Sequence, residues 1–303
     1  MWRESRHAFT KFVIPPMEAT TPTSLPPGAE ATPSASRPRR RRFIRLFFRV
    51  WLVLAACFLF YLYYSYRASG FPSTVLRTDA RVTVTFTADT IAFTPTQQPE
   101  RASLIFIPGA LVEPTAYAPL ARSVAEGGYT AIIVKLPWRM ASFDSQRQLV
   151  VSRVMQIIES GAPTTRWVVA GHSVGGVLAC RAARDYADKL SGFVLIGTSH
   201  PRDFDLSHLS LDVTKITATN DGLASQAEVK ANAKLLPPQT RWVMIEGGNH
   251  SQFGYYGFQL GDHRAAISRA DQQAVTAQGL IESLTQASSA VERVLGEDTG
   301  SPK

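Results

Sequence analysis

The spacing of apolar and polar positions splits the chain into an early apolar run and a long region of alternating strand and helix patterns. Residues 81–87 alternate with period two and, with residues 91–93, predict an opening antiparallel pair. Leu104-Ile105-Phe106-Ile107 is continuously apolar, as expected of a strand buried on both faces. Pro114 opens a predicted helix on which Tyr117, Leu120, Ala121 and Val124 share one face. Strands follow at 131–134, 167–170, 193–196, 213–216 and 242–245. Between and after them lie predicted helices marked by Val150, Val154 and Ile157, over 176–186, over 224–235 and over 266–284. This alternation predicts one α/β domain over residues 80–288 with a doubly wound, mostly parallel sheet. Residues 289–303 read as a tail, frayed from Gly296 onward.

The early run has no such period. Seventeen residues without a formal charge, 50–66, follow Arg39-Arg40-Arg41-Arg42, Arg45 and Arg49. As a helix they span roughly 25 Å at about 1.5 Å per residue, and snorkelling arginines extend the usable length back to Phe43. Trp51 at one end and Tyr61, Tyr63, Tyr64 and Tyr66 at the other suit the two interfaces of a bilayer. The pattern predicts a single-pass transmembrane helix over 43–67. The arginines place the N-terminus in the cytoplasm and the domain, after a linker at 68–79, on the extracytoplasmic side of the cell membrane. Ala68-Ser69-Gly70 has the small-x-small form of a leader cleavage site, and Arg40 to Arg45 has a twin-arginine pattern, but an uncleaved anchor is expected. Upstream, seven prolines fall within 15–38, and residues 1–42 are expected to be a disordered basic segment.

Charge changes the picture only once it is located. The 303 residues carry 32 Lys+Arg against 24 Asp+Glu, a net +8. Eleven basic and three acidic residues lie in the first 70, which leaves 21 of each sign in the remainder. A uniformly basic nucleic-acid-binding domain is thereby disfavoured, and no nucleic acid is expected as a partner. Two cysteines, Cys57 and Cys180, exclude a disulfide scaffold and a cysteine-based zinc cluster.

The chemistry gathers at Gly171-His172-Ser173-Val174-Gly175, between a predicted strand and a predicted helix. In a strand–turn–helix elbow the central serine is held with its hydroxyl exposed, flanking glycines avoid collision within the turn, and the helix N-terminus faces developing negative charge. A serine nucleophile needs a base, and the base an orienting acid. Here the sequence resembles the α/β-hydrolase superfamily over roughly residues 80–288, in particular the compact branch related to dienelactone hydrolases, with serine in place of that group's cysteine. The resemblance implies the order Ser, acid, His. Asp221, in the loop 216–222, then matches the acid, and His250, in Gly247-Gly248-Asn249-His250, the base. Asp203, Asp205 and Glu246 are rival acids, while His200, His208 and His263 are rival bases. Asp221 also reads as a turn former beside Gly222. His172 is expected to pack.

By the same resemblance, the backbone N–H of Val174 and that of Ala110 or Leu111, in Ile107-Pro108-Gly109-Ala110-Leu111-Val112, form the oxyanion hole. The aromatic stretches 136–140 and 253–258 are candidate pocket walls, and about 16 residues after Ile196 leave little room for a lid. The expected activity is hydrolysis of a small-molecule ester-like bond, a carboxylic ester, lactone or thioester, with no metal or organic cofactor and with the bilayer as partner through 43–67. An acyltransferase with the same triad, or a silent membrane-tethered binding domain, are the alternatives.

Overall fold

The computed structural model of the protein describes residues 38–99 and 101–298. The expectations for the proline-rich residues 1–37 and for 299–303 lie outside the described residues. The chain divides into two compact units, Met1–Val53 and Leu54–Lys303.

In the first unit the described residues are the opening of helix α1 (Pro38–Ser65). It starts before the expected residue 43, because proline suits a first helical turn and arginine is a good helix former. Residues Arg40–Ser65 are long and apolar enough to cross a membrane.

The second unit contains an eight-stranded sheet in the order β1-β2-β4-β3-β5-β6-β7-β8. Its strands are β1 (Val82–Phe86), β2 (Thr90–Pro95), β3 (Ala102–Ile107), β4 (Thr130–Val134), β5 (Arg166–His172), β6 (Gly192–Ile196), β7 (Asp212–Ala218) and β8 (Arg241–Ile245). β1 pairs antiparallel with β2, and β2 antiparallel with β4; every other pairing is parallel. Helices α2 (Ala118–Glu126) and α6 (Arg269–Asp298) supply one core, and α3 (Asp144–Ser160) and α4 (Val174–Asp185) the other. β3 serves both. Leu104 and Phe106 join Leu120, Val124, Leu280 and Leu284 on one face, while Ile105 and Ile107 join Val150, Val154 and Leu178 on the other. That two-sided burial is why its sequence is continuously apolar.

Helix starts differ from expectation where a serine cap decides them. The Ser225 hydroxyl accepts from Glu228 N–H, so α5 (Gln226–Asn232) begins after it. The Ser268 hydroxyl likewise accepts from Asp271 N–H and starts α6 at Arg269. Both are Ser-x-x-acid signatures. α6 runs on through residues expected to be tail.

The folded unit also reaches further back than residue 80. A short 3-10 turn, Ser73–Leu76, occupies the expected linker. Tyr66 is 6% exposed and stacks on Tyr256 with ring centroids 6.0 Å apart. Gly257 N–H donates to Ser65 O at 2.6 Å, and the Ser65 and Tyr61 hydroxyls donate to Phe258 O at 2.6 and 2.8 Å. Ala68 N–H meets the Glu113 carboxylate at 3.0 Å, and Ser69 N–H meets Tyr255 O at 2.9 Å. The last turns of α1 are thus part of the domain's own hydrogen-bonded structure.

Candidate active site

β5 ends in the elbow. Ser173 sits between β5 and α4 with φ 54° and ψ −118°, a conformation that a non-glycine residue holds only when its surroundings enforce it. Enforcement comes from close approach. A Cβ on Gly171 would collide with Gly175 O, and one on Gly175 would collide with Ile107 O. Ser173 N–H donates to Ile196 O at 3.0 Å, which ties the turn to β6. The serine side chain lines a cavity of about 360 Å³ together with His250, Ala110, Val174 and Arg147.

His250 and Asp221 meet below that cavity. Nδ1 of His250 lies 2.9 Å from Oδ2 and 3.1 Å from Oδ1 of Asp221, and both side chains are 1% exposed. Asp221 is also the turn former that its place beside Gly222 suggests. Its Oδ1 accepts from Leu223 N–H at 2.8 Å and Ala224 N–H at 2.7 Å. One carboxylate therefore shapes its own loop with one oxygen and faces the imidazole with the other. In a neutral imidazole, an Nδ1–H turned to a carboxylate leaves the Nε2 lone pair available. That buried Nε2 has no hydrogen-bond partner among the described residues.

Of the rivals, Asp203 and His200 border the same cavity as Ser173 and His250, and the others do not. Asp203 is exposed and stands 3.6 Å from His200 Nε2, Asp205 caps Ser207 N–H at 2.8 Å, and Glu246 is exposed. His208 and His263 are exposed too. Burial, and then the nearby Arg202, push His200 down to about 4.

Of the two amides expected beside Val174 in the oxyanion hole, only one is available. Leu111 N–H donates to Arg139 O at 2.5 Å and holds Leu111 at φ 65°. The Ala110 N–H makes no backbone hydrogen bond among the described residues, and Ala110 borders the cavity.

Two residues that sequence reasoning gave no site role support these loops. The Tyr117 hydroxyl accepts from Gly109 N–H at 3.0 Å and shares a hydrogen bond with His172 Nδ1 at 2.8 Å, joining the 108–111 loop to the elbow. Burial raises Tyr117 above the usual phenol range. Burial first, and His250 second, hold His172 well below the usual imidazole range. His172 is therefore neutral although its ring centre is 4.5 Å from that of His250. Asp262, 6% exposed, accepts from Gly222 N–H, His250 N–H and His263 N–H through Oδ1, at 3.2, 3.2 and 2.9 Å. Its Oδ2 accepts from Ser251 N–H and Oγ–H at 2.8 and 2.7 Å. This one carboxylate fastens the loop of Asp221 to the loop of His250.

The expected pocket walls are arranged differently from one another. Phe253 and Tyr256 are buried, and Phe253 packs 5.4 Å from the His172 ring. Trp138 instead faces solvent beside Leu111. Residues 197–211 connect β6 to β7 without a helix. Cys180 is fully buried, which raises its thiol to about 12 and makes it a packing residue. Among the described residues, no group of three or more His, Cys, Asp or Glu side chains could hold a metal ion.

The sequence profile described as "Alpha/beta hydrolase family" matches residues 103–274, more than half of the chain. The chain belongs to the alpha/beta hydrolase family. No curated protein sequence matches it. Among solved structures, this hydrolase is similar to an alpha-beta serine hydrolase homologue from Coxiella burnetii, at 12% identity and TM-score 0.51, over 69% of this chain and 99% of that one. It is also similar to a predicted CIB-like hydrolase from Thermoplasma acidophilum, at 15% identity and TM-score 0.50, over 67% and 98%. A ferulic acid esterase from Streptomyces cinnamoneus aligns at 18% identity and TM-score 0.50, over 63% and 68%. These likenesses establish the fold. Family membership supports hydrolase activity and a small-molecule substrate.

Proposed function

We propose that the protein is a membrane-tethered serine hydrolase that cleaves an ester-like bond through an acyl-enzyme. The observation that carries this reading is the buried 2.9 Å contact between His250 Nδ1 and Asp221 Oδ2, beside the cavity that Ser173 lines. With Nδ1–H held by Asp221, His250 Nε2 accepts the Ser173 proton. Oγ bonds to the substrate carbonyl carbon, and the tetrahedral oxyanion is received by the amides of Ala110 and Val174. The ester C–O bond breaks as the proton passes from His250 to the departing alcohol. Water then repeats the sequence, releases the acid and restores Ser173. A single oxyanion donor typically supplies ~10²–10³ in kcat.

The tether is the apolar helix Arg40–Ser65, with the N-terminal arginines in the cytoplasm and the catalytic unit on the extracytoplasmic side of the cell membrane. Its hydrogen bonds to the loop after His250 support an anchor retained in the mature protein. A fluorophosphonate probe tests the chemistry: labelling of Ser173 is expected and should vanish in Ser173→Ala. Folded protein that neither labels nor turns over any member of an acyl-length ester, lactone and thioester series defeats the proposal.

A further inference from the structure

A second cavity, of about 310 Å³, is lined by Leu62, Tyr63, Leu111, Trp138 and Arg139. Two of its walls belong to the last turns of α1, the helix long and apolar enough to cross a membrane. Its third wall, Leu111, adjoins Ala110, which borders the cavity of Ser173 and His250. A single peptide link therefore separates the two cavities along this loop.

The fourth wall is held in a costly arrangement. Leu111, Trp138 and Arg139 all have positive φ, at 65°, 53° and 57°. Side chains of this size hold such angles only where the surroundings enforce them. The Leu111 N–H to Arg139 O bond links the strained residues across the groove. The result is a tryptophan 91% exposed, presented beside an arginine. Large apolar side chains displayed together mark an interaction surface, and Trp with Arg at the end of an apolar span matches the chemistry of the bilayer interface. Arg139 is balanced by Glu113 at 3.8 Å, so the groove does not call for an anionic ligand.

Depth selects the occupant. Leu62 and Tyr63 lie in the last turn of the span, so in a bilayer they stand at the boundary between hydrocarbon and headgroups. Lipid ester groups sit at that boundary. We propose that this groove takes an acyl chain of a bilayer lipid and delivers its ester, past Leu111 and Ala110, to Ser173. The inference rests on the hydrolase reading above and narrows its substrate class to acyl esters of membrane lipids.

The test uses full-length Ser173→Ala protein in phosphatidylcholine vesicles containing a phosphatidylcholine with a photoactivatable diazirine on its acyl chain. Cross-links are expected on peptides covering 109–113 and 136–141, outside the span, and should be lost from those loops in a Leu62→Trp, Ser173→Ala double variant that fills the groove. Cross-links confined to residues 40–65, or loop cross-links unchanged by the filled groove, overturn the proposal. Turnover of a water-soluble short-chain ester by wild-type protein reports the hydrolase reading separately. Turnover without loop cross-links removes the lipid groove and keeps the hydrolase; groove-dependent cross-links without turnover keep the groove and remove the hydrolase.

Discussion

Replacing Asp262 by asparagine should loosen the two loops that carry Asp221 and His250 while leaving both residues in place. In the native protein five donors converge on the Asp262 carboxylate: three amides on Oδ1, and an amide and a hydroxyl on Oδ2. Asparagine keeps the shape but turns one oxygen into an NH2 donor. Whichever way the amide lies, buried donors then face a donor. An unsatisfied buried group costs about 1–3 kcal/mol. Some relief comes from rotation of the Ser251 hydroxyl, which points to a net loss of about 2–4 kcal/mol. For a domain of this size that lowers Tm by about 5–15 °C.

Activity should fall as well, because one lost amide belongs to His250 itself. A tenfold loss in kcat/KM requires only ~1.4 kcal/mol of lost transition-state stabilisation. Urea unfolding in detergent, followed by tryptophan fluorescence, measures the first effect. The rate of fluorophosphonate labelling at Ser173 measures the second. An unfolding free energy within about 0.5 kcal/mol of wild type would refute the clamp, and a destabilised variant that labels at the wild-type rate would refute its positioning role.

Other consequences are as direct. Gly175→Ala should yield little folded protein by size exclusion, since its Cβ would strike Ile107 O, whereas a folded and active variant would contradict the elbow geometry. Tyr117→Phe strips the partner from Gly109 N–H and from His172 Nδ1, and should cost about 2–3 kcal/mol in chemical denaturation. Stability should fall on acidification. His172 and His200 have depressed proton affinity when folded, so below the unfolded value near 6.5 the unfolded chain binds more protons, and stability drops progressively toward the folded value of about 4 for His200. His200→Gln should make that decline shallower in denaturation curves recorded from pH 7 to pH 4.

The strands were legible wherever burial on both faces left no polar position, as in 104–107 and 193–196. Gly171 to Gly175, Asp221 and His250 stood out because each follows a predicted strand in the order that the resemblance implies, and the chain folds Asp221 against His250. Supporting residues were not legible. Tyr117 lies on an apolar helix face and reads as core until its hydroxyl meets a histidine 55 residues away. Asp262 sits in a loop with no period, and of its five donors only that of His263 is local, while those of Gly222, His250 and Ser251 reach it only through the fold. The Leu111 donor was misleading for a similar reason: nothing local shows that its amide is bonded to Arg139 O. The start of α6 was in principle readable, because Ser268 and Asp271 form a cap signature.

The seam between the end of α1 and residues 255–258 also sets an order of assembly. Ser65 and Phe258 are 193 positions apart in sequence, so the first part of this domain to leave the ribosome waits for one of the last before its hydrogen bonds can form. Contacts of such long separation form late and slow the approach to the native state. Until then Tyr66 lacks Tyr256, and the loop bearing His250 lacks its partners on Ser65 and Tyr61. Closure of that seam waits for residues 255–258, and a chain truncated just before residue 255 would also lose Asp262 and α6, leaving the loops of Asp221 and His250 without their shared carboxylate as well as without the helix.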